Sequence, residues 1–343
     1  MITMKEIISQ FLSHSDDLEI ILFGNGLIHS TYRVEKAGEP AYILQKVNTL
    51  VFKKPMDISS NLERLSSFLI SNDREVFFPL PVKAIGGEDY AVYNGDYFRL
   101  TPYVKNSHSL DACASANEAY EAAFQFGRFT AAFEGMDVNQ LKPSIPGFHD
   151  LAFRWEQFMQ SLENGNSDRK KIAANQISFV MENKRIVDRF NLILQSTQYK
   201  QRVTHHDTKI NNVLFNESGK SICPIDLDTV MPGYFISDLG DMFRTYLSPG
   251  SEEETNLDTV FVRHEFYQAI VEGYMEKMSD ILTADEKEMI SYAGEFMIFM
   301  QAIRFLADFL NDDIYYGIRY EMNNYDRTVN QLHLLKSFQR IQH

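Results

Sequence analysis

Cysteine and long apolar runs are scarce in this sequence, and each shortage excludes a class of protein. The 343 residues include only two cysteines, Cys113 and Cys223, which are too few for a disulfide framework and lack metal-site spacing. They fit a reduced cytoplasmic protein. The most apolar run, residues 296–300, is far shorter than the about 20 residues of a membrane-spanning helix. The N-terminus lacks a signal-peptide pattern, so we expect a cytoplasmic protein without a membrane partner.

Basic residues are also few. Lysine and arginine number 33 against 47 acidic residues, which gives a net charge of -14. A surface of that charge repels nucleic acid and anionic lipid at long range, so neither is expected as a partner. A small anionic ligand held by a local cluster of donors remains compatible with it. Ordinary globular composition and length exclude disorder and predict two domains.

The pattern changes character near residue 103. Residues 1–103 read as a small antiparallel β-rich lobe with one helix, which Ser59 or Ser60 would cap. Its strands are predicted at 18–23, 31–35 and 41–46, with a hairpin that turns at Asn94-Gly95. Residues 104–343 read as a larger helical lobe, with helices predicted at 110–135, 150–164, 167–197, 258–277 and 284–311. The expected fold class is therefore α+β.

The most informative stretch is the spacing H-x-D-x-K-x-x-N at residues 205–212. Phosphoryl transfer has a loose transition state, so a protein catalyses it mainly by positioning groups and neutralising charge. Asp207 is suited to orient an attacking hydroxyl and take its proton. Lys209 is suited to offset charge near the transferred phosphoryl group. His205 is expected to pack and hydrogen-bond within the loop.

Two oxygen ligands for a magnesium ion follow the same loop. Asn212 offers an amide oxygen and Asp226 a carboxylate, and two apolar strands with a turn at 216–219 separate them. Magnesium prefers such oxygen ligands and takes only a few from protein. We expect the hairpin to bring the two residues together.

A kinase also needs a glycine-rich turn, a strand lysine and a helix glutamate in its small lobe. Gly24 and Gly26 lie between two strands, and Ser30 and Thr31 follow as candidate phosphate donors. A plain hairpin is the alternative explanation for the glycines. Lys46 on the third strand is expected to pair with Glu63 on the helix. Period-two counting would equally place Gln45 in the site, and the pair could be two unrelated surface charges.

Together these elements resemble the aminoglycoside phosphotransferase and choline kinase superfamily, which has the protein-kinase fold. Within it, whole phrases resemble the bacterial N-acetylhexosamine 1-kinases. They are YILQ at 42–45 with Asn48-Thr49, VTHHDTKINN at 203–212, IDLDTVMPG at 225–233, DLGD at 238–241 with Arg244, and RFLADFL at 304–310 with residues 313–315. The family pattern differs in carrying glutamine at the place of Lys46.

The resemblance implies a role for each matching residue. Asp207 would be the catalytic base, and Asp228 would be a candidate third magnesium ligand beside Asn212 and Asp226. Asp238 would brace the catalytic loop. In this family the phrases that contain Arg304 and Tyr315 face the sugar.

Simpler roles remain open for several of these positions. A salt bridge between Arg304 and Asp308, four residues on, is one alternative. Tyr315 could be an ordinary core residue. In kinase folds the adenine hydrogen-bonds to backbone groups where the lobes join, which is near residues 101–104 here. Because Pro102 has no N–H, a neighbouring residue such as Tyr103 would have to donate.

The expected activity is transfer of a phosphoryl group from ATP, with Mg²⁺, to the anomeric hydroxyl of an N-acetylhexosamine. A second hypothesis is a kinase for another hydroxyl compound, such as another hexose, an aminoglycoside, homoserine or choline. A third is a catalytically silent kinase-fold binding protein. The presence of Asp207, Lys209, Asn212 and Asp226 together argues against the third.

Overall fold

The computed structural model describes residues 4–13, 17–24 and 28–341, which form two compact units. The first unit comprises Met1–His108, Asp137–Pro146 and Leu214–Met231, and the second comprises Ser109–Met136, Gly147–Val213 and Pro232–His343. The first unit thus includes two segments beyond the predicted boundary at 103. Backbone bridging joins His108 to Phe215, and Asn61 bonds to Lys142, which explains why both segments belong there.

The first unit is built on a five-stranded antiparallel sheet of order β1-β2-β3-β5-β4. Its strands are β1 Leu18–Leu22, β2 Ser30–Lys36, β3 Glu39–Lys46, β4 Ala91–Tyr93 and β5 Asp96–Pro102. The predicted hairpin is present: Asn94 and Gly95 both have positive φ, at 50° and 83°, as a two-residue turn of this kind requires. The antiparallel sheet of the N-terminal region confirms the predicted fold class.

The described residues of the first unit form two α-helices. They are α1 Met4–Ile8 and α2 Pro55–Ser71. Leu62, Leu65 and Leu69 form the buried stripe of α2. The prediction that Ser59 or Ser60 caps this helix is wrong, because the helix begins at Pro55, whose fixed φ suits the first helical position.

The first unit also contains β8 and most of β7, which pair with each other. The short strands of the C-terminal region are β6 Arg202–Thr204, β7 Val213–Phe215, β8 Ser221–Pro224 and β9 Met231–Gly233. Strands β7 and β8 are the two apolar strands that the sequence predicted on either side of the turn at 216–219.

The second unit is mainly helical. Its helices are α3 Ala116–Ala132, α4 Leu151–Asn164, α5 Ser167–Ile172, α6 Ala174–Glu182, α7 Arg185–Gln195, α8 Phe235–Tyr246, α9 His264–Met278, α10 Ala284–Lys287, α11 Ile290–Leu310 and α12 Asn323–Arg340. The predicted helix at 167–197 is three helices, and the one at 258–277 begins only at His264. Among the described residues, none of the helices is long and apolar enough to cross a membrane.

Close backbone approaches hold these helices together. Helix α11 is buried along most of its length and packs against α4, α8 and α12. Helices α3 and α9 approach so closely that a methyl group at Gly273 would overlap the carbonyl oxygen of Tyr120. Glycine is therefore required at 273 by space and not by backbone conformation.

We predict that Gly273→Ala lowers the free energy of unfolding by about 1–3 kcal/mol, because the backbones of α3 and α9 must separate. The control is Gly317→Ala, since a methyl at Gly317 would meet no atom within 4 Å. Urea denaturation of both variants measures the difference. Equal stability of the two variants would show that the helix crossing has room for the methyl group.

Candidate active site

Asp207 of the second unit lies in the loop that follows β6, and both of its carboxylate oxygens have partners. Lys209 Nζ is 2.9 Å from Oδ1, and Asn212 Nδ2 donates to Oδ2 at 3.0 Å. Asn212 also donates to the carbonyl oxygen of Asp207 at 2.9 Å, so its own amide oxygen remains available to a further ligand. The structure thus brings together three of the residues that the motif spacing singled out.

Two carboxylates at the start of α8 hold the backbone of this loop. Asp238 accepts the N–H groups of His205 and His206 at 3.0 and 2.7 Å. Asp241, one turn on, accepts the N–H of Thr208 at 2.9 Å. The backbone N–H groups on both sides of Asp207 therefore donate to buried carboxylates. Because these bonds fix the backbone of the loop, they also fix where the Asp207 side chain begins.

Charge partners differ among these carboxylates, and their pKa values differ accordingly. Burial raises the pKa of Asp207, but Lys209, with His205 and Arg244, outweighs it and holds the pKa below its ordinary value. Burial dominates at Asp238 and raises its pKa to about 7 despite the two N–H donors. The pKa of Asp241 is also raised by burial, although Arg244 opposes the shift. Asp207 is thus the one of the three whose pKa lies below its ordinary value, so it is ionised at neutral pH.

His205 is fully buried beside the rings of Phe126 and Phe129, with centroids at 5.0 and 6.1 Å. Its Nδ1 accepts the N–H of Asp207 at 3.3 Å. The neighbouring His206 has a left-handed backbone, with φ of 67°, and its Nδ1 lies 2.8 Å from Ser237 Oγ. Sequence reasoning did not identify His206, although a left-handed residue directly before Asp207 shapes the loop.

The first unit contains its own cluster of polar residues around Asp228. This carboxylate is 1% exposed; His29 Nε2 lies 2.8 Å from its Oδ2, and Arg99 Nη1 donates to its Oδ1. Burial raises the pKa of Asp228, but Arg99 and His29 outweigh it and lower the pKa to about 2. Asp228 is therefore an ionised buried carboxylate with two partners.

A ligand atom of Asp226 lies within 4.8 Å of one each from His29 and Asp228, so the three form a candidate metal site. His29 accepts the N–H of Asn48 on Nδ1 at 3.0 Å, so its proton is on Nε2 and points at Asp228. Neither nitrogen is then available to a metal ion. The remaining ligands are carboxylate oxygens, which fit magnesium. Asp226 has a left-handed backbone with φ of 58°, a strained conformation typical of functional positions.

The expected pair of Lys46 and Glu63 is not formed. Lys46 Nζ lies 2.6 Å from Asp96, and both side chains are about two-fifths exposed. Alternate strand residues face opposite sides of a sheet, and it is Gln45 that bonds to Arg99 on the neighbouring strand. Gln45 therefore lies on the face of the sheet that carries Arg99, and Lys46 lies on the other face.

The other residues predicted to contact the nucleotide differ in exposure and in hydrogen-bond partners. Gly24 is exposed, with φ of 76°, whereas Gly26 lies outside the described residues. Ser30 is exposed, and Thr31 Oγ1 lies 3.4 Å from the amide nitrogen of Gln45. Tyr103 donates its N–H to the carbonyl oxygen of Ala41 at 2.9 Å, so that N–H is not available to an adenine.

Arg304 does not form the alternative salt bridge with Asp308. The Asp308 carboxylate accepts the N–H groups of Tyr315 and Tyr316, each at 2.8 Å. The guanidinium of Arg304 lies over the rings of Phe148 and Tyr316, at 5.7 and 5.5 Å from their centroids. Tyr315 is 67% exposed and is not a core residue.

Two kinds of comparison show what this chain is similar to. The model of the phosphotransferase enzyme family matches residues 19–274. Among solved structures, a microcompartment-associated aminopropanol kinase is 14% identical with a TM-score of 0.63, over 99% of this chain and 96% of that chain. An aminoglycoside phosphotransferase from Alicyclobacillus acidocaldarius is 10% identical with a TM-score of 0.64, over the same shares.

A third structure, of an amicoumacin kinase with AMP-PNP and Ca²⁺, is 14% identical with a TM-score of 0.62, over 98% of this chain and 95% of that chain. At these identities the solved structures show a shared fold. The family match covers well over half of the chain, and the protein belongs to the phosphotransferase enzyme family. It is therefore an enzyme that transfers phosphoryl groups.

The raised pKa of Asp238 predicts a pH dependence of stability. Between about pH 4, where an ordinary aspartate titrates, and pH 7, the folded state keeps a proton that the unfolded state has lost. Stability from this residue therefore falls as pH rises through that window. Asp238→Asn removes the titration. Urea denaturation at pH 5 and 7 should show the wild type losing on the order of 2 kcal/mol more than the variant. An equal loss in both proteins would contradict the assignment.

Proposed function

We propose that this protein is an ATP- and magnesium-dependent sugar kinase that phosphorylates the anomeric hydroxyl of an N-acetylhexosamine. The observation that carries the proposal is the Asp207 loop: an ionised carboxylate with Lys209 and Asn212 on its two oxygens, on a backbone that two further carboxylates hold in place. The family match supplies the reaction class, and the phrase resemblance supplies the sugar.

In this mechanism Asp207 orients the acceptor hydroxyl and takes its proton as the phosphoryl group is transferred. An anomeric hydroxyl is more acidic than an ordinary alcohol, so a weakly basic carboxylate suffices. Lys209 offsets negative charge beside the base. Asp238 and Asp241 do not react; they keep the loop in position before the substrate binds.

Asp226 and Asp228 of the first unit would supply oxygen ligands for magnesium. The assignment of Asn212 as a further ligand rests on the motif spacing alone. The bound ion would neutralise charge on the phosphates of ATP. Both oxygens of Asp228 accept hydrogen bonds from His29 and Arg99. The lone pairs that remain on Asp228 allow it to contribute as an additional ligand.

Charge near Arg304 favours a neutral acceptor over a polycation. Burial, and then the positive charge of Arg304, lowers the pKa of Arg154 to about 10, so the two guanidinium groups repel each other. Neither forms an ion pair within the described residues. A cationic aminoglycoside or amino alcohol would add to this repulsion. The hydroxyl and carbonyl oxygens of an N-acetylated sugar would accept hydrogen bonds from Arg304. The sugar ring would pack on Phe148 or Tyr316.

We predict turnover with N-acetylglucosamine or N-acetylgalactosamine, ATP and Mg²⁺, and little with kanamycin, ethanolamine or homoserine. Phosphorus NMR should place the product phosphate on C1. Asp207→Asn should lower kcat by at least about 100-fold, because it removes the base without changing the shape of the side chain. Asp188→Asn, an exposed position on α7 paired with Lys184, is the matched control.

The outcomes separate the parts of the proposal. Turnover only with cationic acceptors would contradict the sugar assignment and leave the kinase assignment intact. An Asp207→Asn variant that keeps more than about a tenth of wild-type kcat, a barrier change below about 1.4 kcal/mol, would show that Asp207 is not the base. Failure with every acceptor while ATP still binds would favour a silent kinase-fold protein.

A further inference from the structure

The kinase fold requires a cation near the nucleotide phosphates in its small lobe, and the sequence had suggested Lys46. In the structure Lys46 faces Asp96 at the surface. Arg99, in contrast, is 8% exposed and is the cross-strand partner of Gln45. Its side chain therefore lies on the face of the sheet opposite to that of Lys46. It belongs to β5, the strand next to β3, where the sequence had placed the cation.

The contacts of Arg99 hold its guanidinium in one place. Nε and Nη2 donate to Gln45 Oε1 at 3.0 and 2.8 Å, and Nη1 donates to Asp228 Oδ1. Burial lowers the pKa of Arg99, but the charges of Asp228 and Asp226 outweigh it and keep the pKa above its ordinary value. The group is thus a permanent cation beside the candidate metal ligands.

Arg99 has N–H donors that these contacts do not use. A guanidinium group has five N–H donors, of which these contacts use three. One N–H on each terminal nitrogen has no acceptor within the described residues. Each terminal nitrogen can therefore donate one N–H to a ligand, and phosphate oxygens are charge-assisted acceptors that suit an arginine.

We propose that Arg99 is the phosphate-binding cation of the first unit and that it contacts the diphosphate part of the nucleotide with its two remaining N–H groups. This inference rests on the proposed kinase function. Gln45 and the Asp228 carboxylate position the guanidinium. Lys46 has no part in nucleotide binding.

The test compares the affinities of ADP and adenosine by calorimetry in magnesium buffer. Their ratio isolates the contribution of the phosphates. Arg99→Gln should raise the Kd of ADP about 10- to 100-fold, as loss of a charge-assisted hydrogen-bonded pair does, and leave the Kd of adenosine within about twofold. Lys46→Gln should leave the ratio unchanged. Arg33→Gln, which removes another arginine of this sheet, is the control for loss of charge.

A purely structural role as the partner of Asp228 predicts a different result. Arg99→Gln would then lower the melting temperature but keep the wild-type ratio of ADP to adenosine affinity, which would overturn the assignment. Should Arg99→Gln not fold, Arg99→Lys keeps the charge but loses the fork, and it must still weaken ADP binding selectively. If the wild type binds neither ligand, the proposed function fails as well; if the wild type binds ADP and the variants bind it equally, only the Arg99 assignment fails.

Discussion

Three carboxylates of the second unit are the feature on which the proposed catalytic loop depends: the half-buried Asp207 and the buried Asp238 and Asp241. A buried charge is costly unless it is paired or hydrogen-bonded, so each must be satisfied separately. Lys209 and Asn212 serve Asp207, and Arg244 serves Asp241. Asp238 has the N–H groups of the loop among its partners, and its pKa rises to about 7. The same bonds that satisfy these acids fix the position of the proposed base, so in this account stability and catalysis depend on one network.

The first unit satisfies its buried carboxylate with a different set of partners. Asp228 is buried with Arg99 and His29, while Asp226 beside it is half-exposed and has a strained backbone. A protein with a net charge of -14 must gather positive charge locally in order to bind a nucleotide. In our proposal this local cation is Arg99 of β5, on the face of the sheet opposite to Lys46. An acidic surface and an anionic substrate are therefore compatible.

How much of this could be read from the sequence depends on the distance between partners along the chain. Asp207, Lys209 and Asn212 contact one another within six residues, so their spacing alone predicted the cluster. The hydrogen bond between Arg99 and Asp228 joins residues 129 positions apart, so no local sequence pattern predicts it. The Asn-Gly hairpin was predictable because its turn chemistry is local. The choice between Gln45 and Lys46 was not, because period-two alternation gives two phases and only the sheet register selects one.

The central claim is that the metal ligands and the base have separate tasks: Asp226 binds magnesium with the nucleotide, and Asp207 acts only on the acceptor. Calorimetric titration with AMP-PNP, with and without Mg²⁺, tests it on the wild type, Asp207→Asn and Asp226→Asn. The account predicts that Asp207→Asn keeps the gain in affinity that magnesium gives, within about threefold, and that Asp226→Asn loses at least about tenfold of it. An equal magnesium-dependent gain in all three proteins would contradict it.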